Sequence, residues 1–71
     1  MARKPVTDEA IGARVRARRQ DSTIGFKELA EAIGVSEQML QKYETGASPL
    51  KVTTLVAIAT ALKCKTTDLI P

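Results

Sequence analysis

The run Leu29-Ala30-Glu31-Ala32-Ile33-Gly34-Val35-Ser36, followed by Leu40 and by Tyr43-Glu44-Thr45-Gly46, decides how this chain folds. It reads as one short helix, a sharp turn at Gly34, and a second short helix whose apolar residues face the first. Helices this short are not stable alone, because nucleation costs more than a few turns return. They must lock against each other, and the tight turn then sets their crossing angle.

On the N-terminal side, Thr7 caps a first helix that runs to about Gln20, with Asp8 and Glu9 in the turn where the helix dipole favours acids. Its apolar stripe is Ile11 and Val15, and the next residue on that stripe is Arg19. An arginine facing a core needs a partner, since burying it unpaired is prohibitive. Arg14, Arg16 and Arg18 fall largely outside the stripe and are expected in solvent. Asp21-Ser22-Thr23-Ile24-Gly25 is a break, with Ile24 turned to the core. The second helix is Phe26 to Ile33, with Leu29, Ala30 and Ile33 on one face. Ser36 caps the third helix, and Gly46 ends it where a left-handed residue is wanted. After a loop from Ala47 to Lys51 carrying Pro49, residues 52–62 show Val52, Leu55, Ile58, Ala59 and Leu62 at helical spacing. Lys63-Cys64-Lys65 connects this fourth helix to a short fifth one, Thr66 to Ile70. Residues 1–6, with Arg3, Lys4 and Pro5, lack periodicity and read as a mobile basic arm. No segment alternates as a strand does, so the expected class is all-α, one domain over residues 7–71 behind that arm.

Seventy-one residues make a single domain. A core of that size supplies only about 3–5 kcal/mol, so every apolar position has to contribute. The net charge is +3, and it is uneven. Residues 1–27 hold Arg3, Lys4, Arg14, Arg16, Arg18, Arg19 and Lys27 against Asp8, Glu9 and Asp21, a balance that suits an anionic partner. The chain has no histidine and one cysteine, Cys64, which leaves no metal-ligand set and no nucleophile–base pair. An enzyme, a metal site and a cofactor are therefore not expected. A single cysteine allows no internal disulfide and fits a reducing compartment. Next to Leu62 and Leu69 it reads as a buried thiol behaving as a small hydrophobe. Nothing approaches the ~20 apolar residues of a membrane span, nor does a signal-peptide hydrophobic region follow Met1. A cytoplasmic location is the expectation.

One use of a rigid pair of short helices is to seat the second in the major groove of DNA. At Leu29-Ala30, Gly34-Val35-Ser36, Leu40 and Tyr43-Glu44-Thr45-Gly46 the sequence resembles the Xre-like helix-turn-helix family, the five-helix domains of lambdoid phage repressors, Cro proteins and many bacterial regulators. The resemblance extends from about Ile11 to Ile70 and implies a five-helix, lambda-repressor-like fold with the helix-turn-helix at helices 2 and 3. It puts Ala30 where a small residue lets the helices meet, Gly34 where the turn needs positive φ, and Leu40 where the third helix meets the core. Leu55, Ile58-Ala59, Ala61-Leu62 and Leu69 follow its fourth and fifth helices. A bulkier residue than Ala30 would hold the helices apart, and a side chain at Gly34 would strain the turn. The family often pairs an arginine late in helix 1 with a glutamate late in helix 3. Arg19 and Glu44 occupy those positions, which gives the core-facing arginine a structural partner.

The resemblance further implies a third helix lying in the groove, its outward residues Glu37, Gln38, Gln41 and Lys42 touching base edges. Gln can bond adenine in a bidentate manner, Lys can donate to guanine, and Glu can accept from cytosine. Ser36, Thr45 and Lys51 match family positions flanking the groove and can hold phosphates, as can Lys27 near the start of the second helix, contacts that set register without reading sequence; Arg3 and Lys4 are the expected DNA arm. Three residues depart from the pattern. Phe26 follows Gly25 where the family has a polar cap and a phosphate-anchoring Gln, Glu37 puts an acid at the helix tip, and Met39 replaces a small polar residue. One helix reads only a few base pairs, so a homodimer is expected on the operator, with half-sites about 34 Å apart and an interface at Cys64, Leu69 and Ile70. The expected function is sequence-specific DNA binding in transcriptional regulation, as a repressor, with double-stranded operator DNA as partner and no membrane or small-molecule effector. The alternative, which Phe26, Glu37 and Met39 favour, is a protein-interaction module of antitoxin or antirepressor type on the same fold.

Overall fold

The computed structural model describes residues 6–71. Helix α1 spans Asp8–Asp21, α2 Phe26–Ile33, α3 Glu37–Thr45 and α4 Val52–Ala61, and a single 3-10 turn follows over Thr66–Leu69. No strand forms among the described residues. Several boundaries have a local cause. The Thr7 hydroxyl oxygen accepts from the Ala10 N–H at 3.0 Å and starts α1. Ser22 ends it by donating to the Arg19 carbonyl at 2.7 Å while its own oxygen accepts from the Ile24 N–H at 3.2 Å, which turns Ile24 back onto the core. Gly34, at φ +75°, ends α2, and the N–H groups of Gly34 and Val35 return to the Glu31 and Ala30 carbonyls. Ser36 then caps α3 by accepting from the Met39 N–H at 3.1 Å, and Gly46, at φ +81°, closes it.

The expected fifth helix is instead a 3-10 turn. The backbone turns extended at Ile70, so the piece is four residues long, and the tighter i→i+3 bonds, such as Asp68 N–H to the Lys65 carbonyl at 2.9 Å, are what such a short piece forms. The connector before it holds the one described non-glycine residue with positive φ, Lys63 at +55°. Lys63 and Cys64 donate back to the Thr60 and Ala59 carbonyls at 3.2 and 2.9 Å, a left-handed helix closure made without glycine.

The core is Val15, Leu29, Ala30, Leu40, Leu55, Ile58, Ala59, Leu62 and Leu69. Leu69 is fully buried, so it offers nothing to a dimer partner. The terminal turn folds back on α1 and α4 and supplies the core with its last large side chain. Val52 also departs from expectation: the buried stripe of α4 begins at Leu55, and Val52 in the first turn is 74% exposed, on one face with the exposed Val56. Cys64 is half-buried and packs on the core. Burial pushes its thiol pKa up, and the nearby Asp68 carboxylate adds to that against the opposing charge of Arg18. No described helix is long and apolar enough to cross a membrane. The arm residues Arg3 and Lys4 lie outside the described residues.

Candidate nucleic-acid interface

Helix α3 is held at both ends and along one side, which leaves its other side free. Leu40 is fully buried and Glu44 nearly so, while Met39 and Tyr43 are half-buried. Glu37, Gln38, Gln41 and Lys42, at spacings that share one helix face, are all exposed. None of these four side chains makes a hydrogen bond or ion pair among the described residues. Glu37 sits in the first turn, where the dipole stabilises an acid.

Two devices fix α3 against α1. The first is the ion pair. Arg19 Nε donates to Glu44 Oε2 at 2.7 Å and its terminal nitrogen to Oε1 at 3.0 Å, a bidentate fork with side-chain exposures of 17% and 6%. The hydrogen bonds Arg19 donates to Glu44 raise its pKa, against a burial effect that pulls it down, so the guanidinium stays charged. The Arg19 guanidinium carbon also lies 5.1 Å from the centre of the Phe26 ring, a cation–π contact that brings the start of α2 into the same cluster. Phe26, which departs from the family pattern, is thus part of the seat that orients α3. The second device is close backbone approach. A Cβ at Gly12 would stand 2.3 Å from the Tyr43 carbonyl oxygen and 2.7 Å from that of Glu44. A Cβ at Gly46 would stand 2.6 Å from Cα of Glu9. Glycine at both points lets the first turns of α1 rest on the end of α3.

The flanking residues differ in what they can offer. Lys27, Ser36 and Lys51 are exposed. The Ser36 oxygen accepts at the cap, and its own proton remains available for a phosphate. The Thr45 hydroxyl instead donates to the Gln41 and Lys42 carbonyls at 3.0 and 3.3 Å, so it reaches a phosphate only by giving up those bonds. Arg18 is not simply solvated; it lies 3.6 Å from Asp68 and ties α1 to the terminal turn.

Two residues escaped the sequence reading. Gly12 has only one signal, a glycine kept inside a helix where it costs about 1 kcal/mol relative to alanine. Arg16 lines a cleft of about 350 Å³ with Phe26, Gln41, Glu44 and Thr45, a placement that depends on the α1–α3 crossing and has no local signature. No group of three or more His, Cys, Asp or Glu among the described residues is placed to hold a metal ion.

A family model described as helix-turn-helix matches residues 15–69. Among curated relatives, the uncharacterized HTH-type transcriptional regulator y4wC of Sinorhizobium fredii is 42% identical over 62 residues, which is 86% of this chain and 43% of the relative. The chain spans about half the length of the curated relatives it matches. Among solved structures, the clp gene regulator ClgR from Corynebacterium glutamicum superposes with a TM-score of 0.87 at 33% identity, over 94% of this chain and 71% of that one. The P22 c2 repressor, solved with a synthetic operator, superposes with a TM-score of 0.74 at 30% identity, over 83% of this chain and 89% of that one.

Proposed function

Because the chain belongs to the helix-turn-helix family, we propose that it is a DNA-binding transcriptional regulator that reads operator sequence by laying α3 in the major groove. The observation that carries this reading is the outer face of α3. Glu37, Gln38, Gln41 and Lys42 are exposed and make no hydrogen bond or ion pair among the described residues, on a helix whose ends and inner side are locked by Ser36, Gly46 and the Arg19–Glu44 fork. Side chains without internal partners on a rigid support suit base-edge hydrogen bonding. Lys27, Ser36 and Lys51 flank that face and would set its register on the phosphates. The fold neighbour P22 c2 was solved on operator DNA, which supports the same orientation here.

Repression is the simplest outcome of occupying an operator, and a role on chromosomal DNA puts the protein in the cytoplasm. A homodimer would supply the second reading helix, with half-sites about 34 Å apart. Among the described residues the exposed large apolar side chains open to a second copy are Val6, Val52, Val56 and Ile70, rather than Leu69. Of the three residues that favour the protein-module alternative, Phe26 has a packing role within the domain against Arg19.

The test is a fluorescence-anisotropy titration against DNA from upstream of the protein's own gene and against a scrambled duplex, each at two salt concentrations. Tighter, salt-sensitive binding to one sequence is expected. Gln38→Ala and Lys42→Ala should each cost about 1–3 kcal/mol and relax preference at one base pair. Equal losses on every sequence would reject base reading by those residues.

A further inference from the structure

The cleft between α1 and α3 has a wall chemistry that selects one kind of ligand. Five side chains bound it: Arg16, Phe26, Gln41, Glu44 and Thr45. Both Glu44 oxygens are taken by Arg19, which leaves that wall neutral overall. The Phe26 ring is apolar, and the Thr45 proton is bound to backbone carbonyls. The groups left free to donate are the Gln41 amide and the Arg16 guanidinium, and Arg16 forms no ion pair among the described residues. A concave site with an unpaired guanidinium, an amide beside it and no free carboxylate favours an anion able to take a fork of hydrogen bonds. Gln41 belongs both to this cleft and to the exposed face of α3, so the cleft opens along the surface that faces the groove in the reading above.

We infer that Arg16 takes a backbone phosphate of the bound DNA at this cleft, beside Gln41, so that α1 as well as α3 belongs to the DNA interface. The inference rests on the DNA-binding reading. Arg16 is exposed on α1 and outside the Arg19–Glu44 fork, so its replacement leaves the fold intact. The contact carries no base information; it fixes how far α3 rolls about its own axis in the groove, because it anchors the side of α3 that Gln41 and Thr45 occupy.

The experiment measures binding of the wild type, Arg16→Gln and Arg16→Lys to a duplex selected from a random-sequence library and to its scrambled counterpart, over a range of salt concentrations. Melting curves serve as the control for folding. Arg16→Gln is expected to weaken binding to both duplexes by a similar factor, on the order of tenfold, and to make the log–log salt dependence shallower by about 0.9. Arg16→Lys, which keeps the charge, should keep the slope. An Arg16→Gln protein with unchanged slope and affinities, while the wild type discriminates the two duplexes, would overturn the inference and leave the DNA-binding reading standing. Loss confined to the selected duplex at constant slope would make Arg16 a base contact and overturn it equally. A wild type that binds neither duplex would overturn the inference together with the reading beneath it.

Discussion

Gly12→Ala separates two opposite expectations by sign. Helix propensity alone makes alanine better than glycine inside α1 by about 1 kcal/mol. The structure reverses this. The new Cβ would stand 2.3 Å from the Tyr43 carbonyl oxygen, 2.7 Å from that of Glu44 and 2.9 Å from its carbonyl carbon. Ordinary carbon–oxygen approach in proteins is about 3.3 Å, so α1 must back away by roughly 1 Å. The obstructing atoms are backbone in the last turn of α3, held by the Gly46 closure, and α1 is pinned again where Glu9 rests on Gly46. Neither helix can yield cheaply. Overpacking of this kind costs about 1–3 kcal/mol, and separation of α1 from α3 also stretches the Arg19–Glu44 fork. With the propensity gain set against it and the fork strained as well, a net loss of about 1–2 kcal/mol is expected, or roughly 5–10 °C in Tm for a domain this small. The assay is thermal and urea unfolding followed by far-UV circular dichroism. Gly25→Ala is the control, because a Cβ there meets only the flexible end of Glu28 at 3.3 Å, and its effect should stay below about 1 kcal/mol, the cost of alanine for glycine at the N-cap of α2. A Gly12→Ala protein as stable as the wild type, or more so, would refute the close-approach reasoning.

Three further outcomes follow from the same structure. Glu44→Ala leaves a mostly buried guanidinium without its partner and should cost about 3 kcal/mol or more; an unchanged Tm would show that the fork contributes nothing to the fold. Lys63→Gly relieves a left-handed backbone that costs a side-chain-bearing residue about 1–2 kcal/mol, offset in part by the freer unfolded chain. Tm should rise by a few degrees, and a fall would show that the Lys63 side chain has a role the backbone does not reveal. Cys64 has a pKa raised in the native state, so the native protein holds that proton more tightly than the unfolded chain. Its contribution to stability is full below the unfolded value of about 8.5 and is lost as pH rises through the native one. Wild type should therefore lose stability more steeply above that point than Cys64→Ala, and parallel profiles would contradict the assignment.

The parts of this fold that could be read in the sequence are those whose cause lies within a few residues. Gly34, Ser36 and Gly46 each answer a demand of the local backbone, and the structure puts a left-handed turn, a cap and a closure at those positions. Arg19 was legible for a different reason: a charge on an apolar stripe requires a partner. What stayed hidden depends on how separate elements cross. Gly12 looks like a defect in a polar helix until α3 is laid against it. Arg16 is exposed, as its place off the stripe predicts, but only the same crossing puts it on a cleft shared with Gln41 and Thr45. Leu69 looked like surface because it lies near the chain end, but a single 3-10 turn suffices to fold it inward. The outward residues of α3 could be listed from periodicity, yet which bases they would meet is a property of the complex and not of the chain.

Beyond the favourable place of Glu37 near the helix N-terminus, the four outward side chains of α3 do little to hold the molecule together. They are exposed and make no hydrogen bond or ion pair among the described residues, while the helix beneath them is fixed by Ser36, Gly46, Leu40 and Glu44. Under the proposed reading, stability and specificity therefore reside on different residues. Substitutions at Glu37, Gln38, Gln41 and Lys42 can be combined freely, each expected to leave stability within about 0.5 kcal/mol. A lineage carrying this domain could drift from one operator to another without passing through an unfolded intermediate sequence, and a library randomised at those four positions should be populated almost entirely by folded proteins.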